Sequence, residues 1–469
     1  MQASNRSDCA CSLLSSIAVA IGLALGPSLI VKVALAEPSG ATTLEQTEDR
    51  TNKLEVEIES LWDDFNHYVL IARPDLAAAV AQKLLEISDH QMLLDAVEAS
   101  RFAAPSQTFL RASKMEGVSV VGKDLEHLVE SARIERSRDP QRIKANIELL
   151  DDGQRPNRNA TRRLTAAGQY AAPYLLAALQ DKTQTNLHPY IRQAMVEVGR
   201  PMVNPLAQAL PQLDPVIMGQ AAQVLASIGY PQPLASLKQV METPSTDPTA
   251  MKFVQKAYNQ LIDRSKLMPN LRAADLYLIL GQDYYRAATR GDQIPGFDPG
   301  EGKGLVWHYD HRVGLIPIPV PAEIFGDVLA MRAALAALNL DPNLDLALSL
   351  FLMANLRREN NLPADEPDPS YSSDLEAPMF YALIAGPGRL HDVLSQALEN
   401  ADATLALDAI EALSTTAGTE ALINLGAAQQ PLLRALSYPD RRVRFWSAMA
   451  LAQAAHRKLS LELTGWCPF

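Results

Sequence analysis

Residues 162–179 read RRLTAAGQYAAPYLLAAL: an apolar helix, a glycine, a proline and a second apolar helix. The same order returns as QAMVEVGRPMVNPLAQAL at 193–210 and as AQVLASIGYPQPLASL at 222–237. Gly168, Gly199 and Gly229 therefore stand 31 and 30 residues apart, the length of one helical hairpin. Glycine just past the first helix accepts the left-handed backbone that ends it, and proline near the start of the second supplies a preset φ where no N–H partner is needed. Such a hairpin cannot bury its apolar faces alone, so copies must stack. The expected fold is all-α, an α-solenoid of helical hairpins.

Composition agrees with stacked helices. Of 469 residues 48% are hydrophobic but only 6% aromatic, so the core is rich in Ala and Leu, whose small volume lets helix axes approach. The formal net charge of −12 repels nucleic acid and anionic lipid, and no nucleic-acid partner is expected. Arg6, the apolar stretch from Leu13 to Val31 and Ala34-Leu35-Ala36 follow the layout of a secretory signal peptide over 1–36. Cleavage there implies an exported, periplasmic or other envelope protein beginning at Glu37. An uncleaved membrane anchor is the alternative, weakened by Gly22, Gly26 and Pro27. Beyond residue 36 the only cysteine is Cys467, which leaves no internal disulfide and places stability on packing.

The repeated units resemble HEAT repeats of the short bacterial type, also found in phycobilisome lyase-like proteins. The best match is Pro439-Asp440-Arg441-Arg442-Val443-Arg444 followed by Ala448-Met449-Ala450-Leu451, similar to that family's P-D-x-x-V-R-x-x-A-x-x-A-L signature. The resemblance implies that Asp440 caps a helix and that Arg444 pairs with a carboxylate of the preceding repeat. A weaker unit runs from Leu405 to Leu425 with Gly418 at its break. Residues 331–359 resemble a tetratricopeptide repeat in which Pro342 starts the second helix, 276–288 supplies a partner helix, and 61–86 has the same grammar with Arg73-Pro74 at the bend.

The resulting plan has a signal peptide at 1–36, a tetratricopeptide-like helical region at 43–140 and HEAT-like repeats at 141–265. A second tetratricopeptide-like region at 266–361 carries a loop and β-strap at 291–321; an acidic linker at 362–378 leads to C-terminal HEAT-like repeats at 379–469. Alternation across Leu305 to Tyr309 and Leu315 to Val320 marks a short β-hairpin within 304–321, with its prolines confining the second run to an edge or an extended strap. The loop at 291–304 and the linker at 362–378 read as flexible or partner-facing. GPGRL at 386–390 reads as a helix break. After Ala455 the tail has Gly465 and Pro468 and little room for helix, so the last repeat reads as incomplete, its apolar end open to self-association.

Residues able to carry chemistry are few. His308, Asp310 and His311 are the one close cluster of metal-type ligands, with His67 or an acidic neighbour to complete a site, but their spacing matches no defined metal motif. Arginines gather between 133 and 163 among interleaved acids, which points to salt-bridged solvent faces; Arg155, Arg158, Arg162 and Arg163 are the candidates for an anion- or partner-binding patch. Phosphate-binding glycine loops, the G-x-S-x-G elbow, H-E-x-x-H and C-x-x-C are all missing. The expectation is an exported, non-enzymatic scaffold without a cofactor, binding proteins or peptides on its helical surface. A self-assembling envelope component and, behind it, a metal-dependent or lyase-like enzyme are the alternatives.

Overall fold

The structure, a computed structural model, describes residues 40–100, 104–243, 247–298, 302–416 and 430–464, with side chains between 52 and 453. The 1–36 leader, Gly418, Gly465, Cys467 and Pro468 lie outside the described residues.

The N-terminal helices are α1 (Gly40–Leu70), α2 (Pro74–Leu85), α3 (His90–Ala99), α4 (Pro105–Ala112) and α5 (Ser119–Arg138). They close around a separate core. Its centre is aromatic: the Trp62 ring lies 5.6 Å from Phe65 and 5.5 Å from Phe109, worth about 0.5–1.5 kcal/mol per pair beyond burial. Pro74 does open α2, as the Arg73-Pro74 bend requires.

The repeat block follows as α6 (Pro140–Glu148), α7 (Gln154–Ala167), α8 (Ala172–Gln180), α9 (His188–Val198), α10 (Val203–Ala209), α11 (Pro215–Ile228), α12 (Leu234–Glu242) and α13 (Pro248–Ile262). First helices α7, α9, α11 and α13 stack in one layer, and second helices α8, α10 and α12 in another. Gly168, Gly199 and Gly229 end α7, α9 and α11 with φ of 58°, 75° and 89°. Only Gly229 is left-handed; the other two have ψ of −131°, a region where a Cβ is strained even more. The helical hairpins are those the period announced, and the fold is an all-α solenoid with one small sheet.

Next come α14 (Ala273–Arg290), the strands β1 (Phe297–Asp298), β2 (Lys303–Asp310) and β3 (Gly314–Pro321), then α15 (Ala322–Leu340) and α16 (Asp345–Asn361). Helices α14, α15 and α16 approach closely at Gly281, where an added Cβ would sit 2.9 Å from Leu350 and 3.2 Å from Ala333. Pro342 does not start α16; it lies in the turn before Asp345, where its fixed φ suits a bend as well as a first helical turn. The sheet is antiparallel in the order β1-β2-β3, with Trp307 opposite Pro317 and Tyr309 opposite Leu315. Pro317, Pro319 and Pro321 lie on the edge strand β3, the place that tolerates residues without an N–H.

Strand β2 is buried on both faces over 304–307, and this organises the molecule. Leu305, Trp307, Tyr309 and Leu315 enter the core of the repeat block, while Val306 and Val320 enter that of α14–α16 and the helices after them. Strand β3 lies on α8 and β2 on α10 and α15. The second-helix face of the repeat block is thus covered in part by the chain's own hairpin. The loop before it is held too: Gln169 Nε2 donates to the Gly296 carbonyl at 3.1 Å and Asn204 Nδ2 to that of Pro295 at 2.8 Å. Of the flexible loop expected over 291–304, the stretch around 295–298 is therefore pinned.

The last block contains α17 (Pro378–Ile384), α18 (Pro387–Glu399), α19 (Ala403–Thr416), α20 (Pro431–Ala435) and α21 (Arg441–Thr464). Gly386, at φ 84°, breaks α17 from α18 as GPGRL predicted. The acidic stretch 362–378 is not a free linker: Arg358 Nη1 donates to Asp368 at 2.7 Å, both nearly buried, and the same guanidinium lies 3.9 Å over Tyr371. Removing this pair from water is tolerable only because both charges are matched. Helix α21 continues through Thr464, past the Ala455 where the tail was expected to stop being helical; neither breaker residue falls before 465. On it Val443, Ser447 and Ala450 are buried, whereas Phe445 and Trp446 are 56% and 53% exposed.

Candidate functional site

Helix α15 is apolar along most of its length because Ile324, Phe325, Val328, Met331, Ala334 and Ala337 lie in the core it shares with α14, α16 and the helices after them. Two charges interrupt the run between Ile324 and Leu340. Asp327 is matched by Arg357 of α16, whose Nε donates to Asp327 Oδ1 at 2.8 Å and whose guanidinium lies 3.6 Å over the Tyr285 ring. Burial pushes the Asp327 carboxyl above its ordinary value even against Arg357, and the Arg357 charge is held by that carboxylate.

Arg332 is not matched in this way. Its Nη2 donates to the Trp307 carbonyl at 2.9 Å, and among the described residues no carboxylate lies within ion-pair distance. Burial, with no charged neighbour acting, pushes the guanidinium below its ordinary range. One bond of five donors is spent.

Arg332 lines a cavity of about 530 Å³ between α10, α12, α14, β2 and α15. Amides supply much of the polar wall: Asn204, Gln208, Gln212, Gln232, Gln239 and Asn339. Tyr277, Tyr284 and Trp307 add aromatic surface, and Leu280, Leu329 and Leu335 apolar surface. Tyr277 donates to Gln239 Oε1 at 2.7 Å, and burial raises both tyrosine hydroxyls so that they stay neutral. The Trp307 Nε1–H and the Gln232 side-chain oxygen are buried without a partner among the described residues. Among the described residues the lining holds no histidine, cysteine or carboxylate to serve as a general base. What it offers is one cation, many amides and apolar walls, the makings of a binding site.

The residues singled out from sequence lie elsewhere. His308 is exposed on β2, His311 meets the Tyr309 ring edge-on at 5.7 Å, and Asp310 accepts from the backbone N–H of Arg312 and Val313 at 2.8 and 3.1 Å. Those turn bonds hold the Asp310 carboxyl below the usual range. His67 sits on α1, and among the described residues no group of three ligand-type side chains gathers. Asp440 does cap α21, accepting from Arg442 N at 2.7 Å, and Val443 is fully buried. Arg444 donates to the backbone carbonyls of Tyr438 and Pro439 at 2.7 and 2.6 Å, where pairing with an acid of the preceding repeat was implied.

The arginine run divides in two. Arg133, Arg136, Arg138 and Arg142 meet Glu130, Asp95, Asp298 and Asp139. Arg155, Arg158 and Arg162 are exposed on α7 without an ion pair among the described residues, and Arg163 donates to Asn146 at 3.4 Å. Sequence reading missed Arg332 altogether. Its signal was a charge within an otherwise apolar helix, but a repeat pattern does not reveal which of two such charges finds a partner.

Comparison with protein-family models and with curated proteins finds no match. Among solved structures the chain has a likeness to a circular tandem repeat protein with novel repeat topology and enhanced subunit contact surfaces, at 15% identity. That alignment covers 88% of this chain and 98% of the other, with a TM-score of 0.23. Among the described residues no helix is long and apolar enough to cross a membrane.

Proposed function

We propose that this protein is a HEAT-type helical-repeat scaffold, exported and non-enzymatic, that binds an extended peptide segment in the cleft between α10, α12, α14, α15 and β2. The observation that carries this reading is the cleft's mixed wall. Amides can pair with the N–H and C=O groups of an extended backbone, and the leucines give apolar side chains a place to rest. An acidic oligosaccharide fits less well, because the Trp307 ring is only 3% exposed and leaves little face for a sugar to stack on. Export rests on the 1–36 sequence pattern.

Selection from a random peptide display library against the purified chain tests the reading. Recovery of a shared motif that binds in solution at micromolar or tighter affinity is expected. A library that yields no saturable binder sinks it.

A second reading, self-assembly, is favoured by one observation: Phe445, Trp446 and Met449 are 56%, 53% and 37% exposed on one end of α21. Light scattering over a concentration series separates the two, since the peptide-binding reading needs no large oligomer.

A further inference from the structure

We propose that Arg332 is the anchor for a carboxylate on the bound peptide, which makes the cleft selective for acidic or free C-terminal segments. This inference rests on reading the cleft as a peptide site.

Arg332 is partly buried and spends one hydrogen bond on the protein, which leaves its other donors for whatever enters the cavity it lines. The two fully buried arginines are satisfied within the protein: Arg357 and Arg358 each have a carboxylate and lie over a tyrosine ring. Arg332 has neither among the described residues, and it lines a cavity large enough for a ligand. Among the described residues the cavity lining carries one positive charge and no negative one, so a monoanion leaves it neutral. A phosphate dianion would exceed that single charge inside a protein of net charge −12. A guanidinium also presents a pair of parallel N–H donors that match the two oxygens of a carboxylate. The unpaired Trp307 Nε1–H is a further donor in the same wall.

The test uses library-selected peptides, each synthesised with its acidic side chains kept or changed to amides and with a free or amidated C-terminus. Binding is measured to the native protein and to R332Q and R332K. On the native protein, one of the two carboxylate removals is expected to weaken binding at least about 30-fold, and that removal identifies the carboxylate's source. On R332Q the same removal should change little, because the partner is already gone. R332K, which keeps the charge without the fork, should fall between. If R332Q loses its helical circular dichroism, the carboxylate removals on R332K decide, with a smaller loss than in the native protein expected.

Equal affinity of the native protein for fully amidated and acidic peptides overturns the anchor while leaving the peptide reading intact. If no peptide is selected but glutarate or an oligouronate binds in an Arg332-dependent way, the anchor stands and the peptide reading falls. If none of these probes binds, both fall.

Discussion

Gln180 Nε2 donates to the Tyr309 hydroxyl at 2.9 Å, so a second helix of the repeat block holds the tip of a hairpin that follows it by 129 residues. The bond is one of several by which the repeats grip the segment after α14, together with those from Gln169 and Asn204 to the 295–296 backbone. Solenoid and hairpin are thus one structure, and the cleft lies where they meet. Replacing Tyr309 by Phe should cost about 1 kcal/mol in urea unfolding, and a double-mutant cycle with Gln180→Ala should return a coupling of about 0.5–1.5 kcal/mol. Strict additivity would mean that the bond contributes nothing.

Gly304 tests the seat of the hairpin on α15. A Cβ there would stand 2.2 Å from Phe325 ring atoms, and that ring is only 2% exposed. Gly304→Ala should therefore destabilise by about 1–3 kcal/mol, as overpacking does. Adding Phe325→Leu should recover part of the loss, measured by thermal melting of both variants. A harmless Gly304→Ala would mean that β2 sits further from α15.

Arg357→Met should cost about 3–5 kcal/mol, because it strands a buried carboxylate. The pH dependence has a definite sign. Asp327 has a folded pKa raised above its unfolded value of about 3.9, so its contribution is present at low pH and lost as pH rises through the folded value. The Arg357→Met penalty should shrink on acidification, read from unfolding curves at pH 7 and pH 5. A penalty that grows on acidification contradicts the assignment.

The turn and cap carboxylates act with the opposite sign. Asp181, Asp310 and Asp440 are held below their ordinary values, chiefly by hydrogen bonds from Thr183, from the Arg312 backbone and from the Arg442 side chain. Their stabilisation is present above about pH 4 and lost as pH falls through the folded values. The melting temperature should drop steeply below about pH 4, and the triple Asn variant should show a shallower drop. Parallel curves for the variant and the native chain would count against these caps.

The helical repeats were legible because glycine and proline leave a mark of fixed spacing, visible in Gly168, Gly199 and Gly229 without any knowledge of contacts. The hairpin was legible as a strand pair, from alternation and from prolines that fit only an edge. Its position was not. Leu305 and Val306 alternate between two faces, but no local pattern says that both faces are cores. The same limit applies to Arg358 and Asp368: composition made 362–378 look like an open linker, and only the fold brings a buried arginine beneath it. Arg332 was hidden for a related reason, since an unmatched charge is defined by the absence of a distant partner.

The most direct measurement is peptide affinity after the cleft is filled. Ala336 lines the cavity and is only partly buried, so Ala336→Trp should occupy the space without emptying either core. Titration of a selected peptide by calorimetry should show affinity falling at least about 30-fold while the melting temperature stays within a few degrees of native. Unchanged affinity in a folded Ala336→Trp protein would contradict the assignment of this cleft as the binding site.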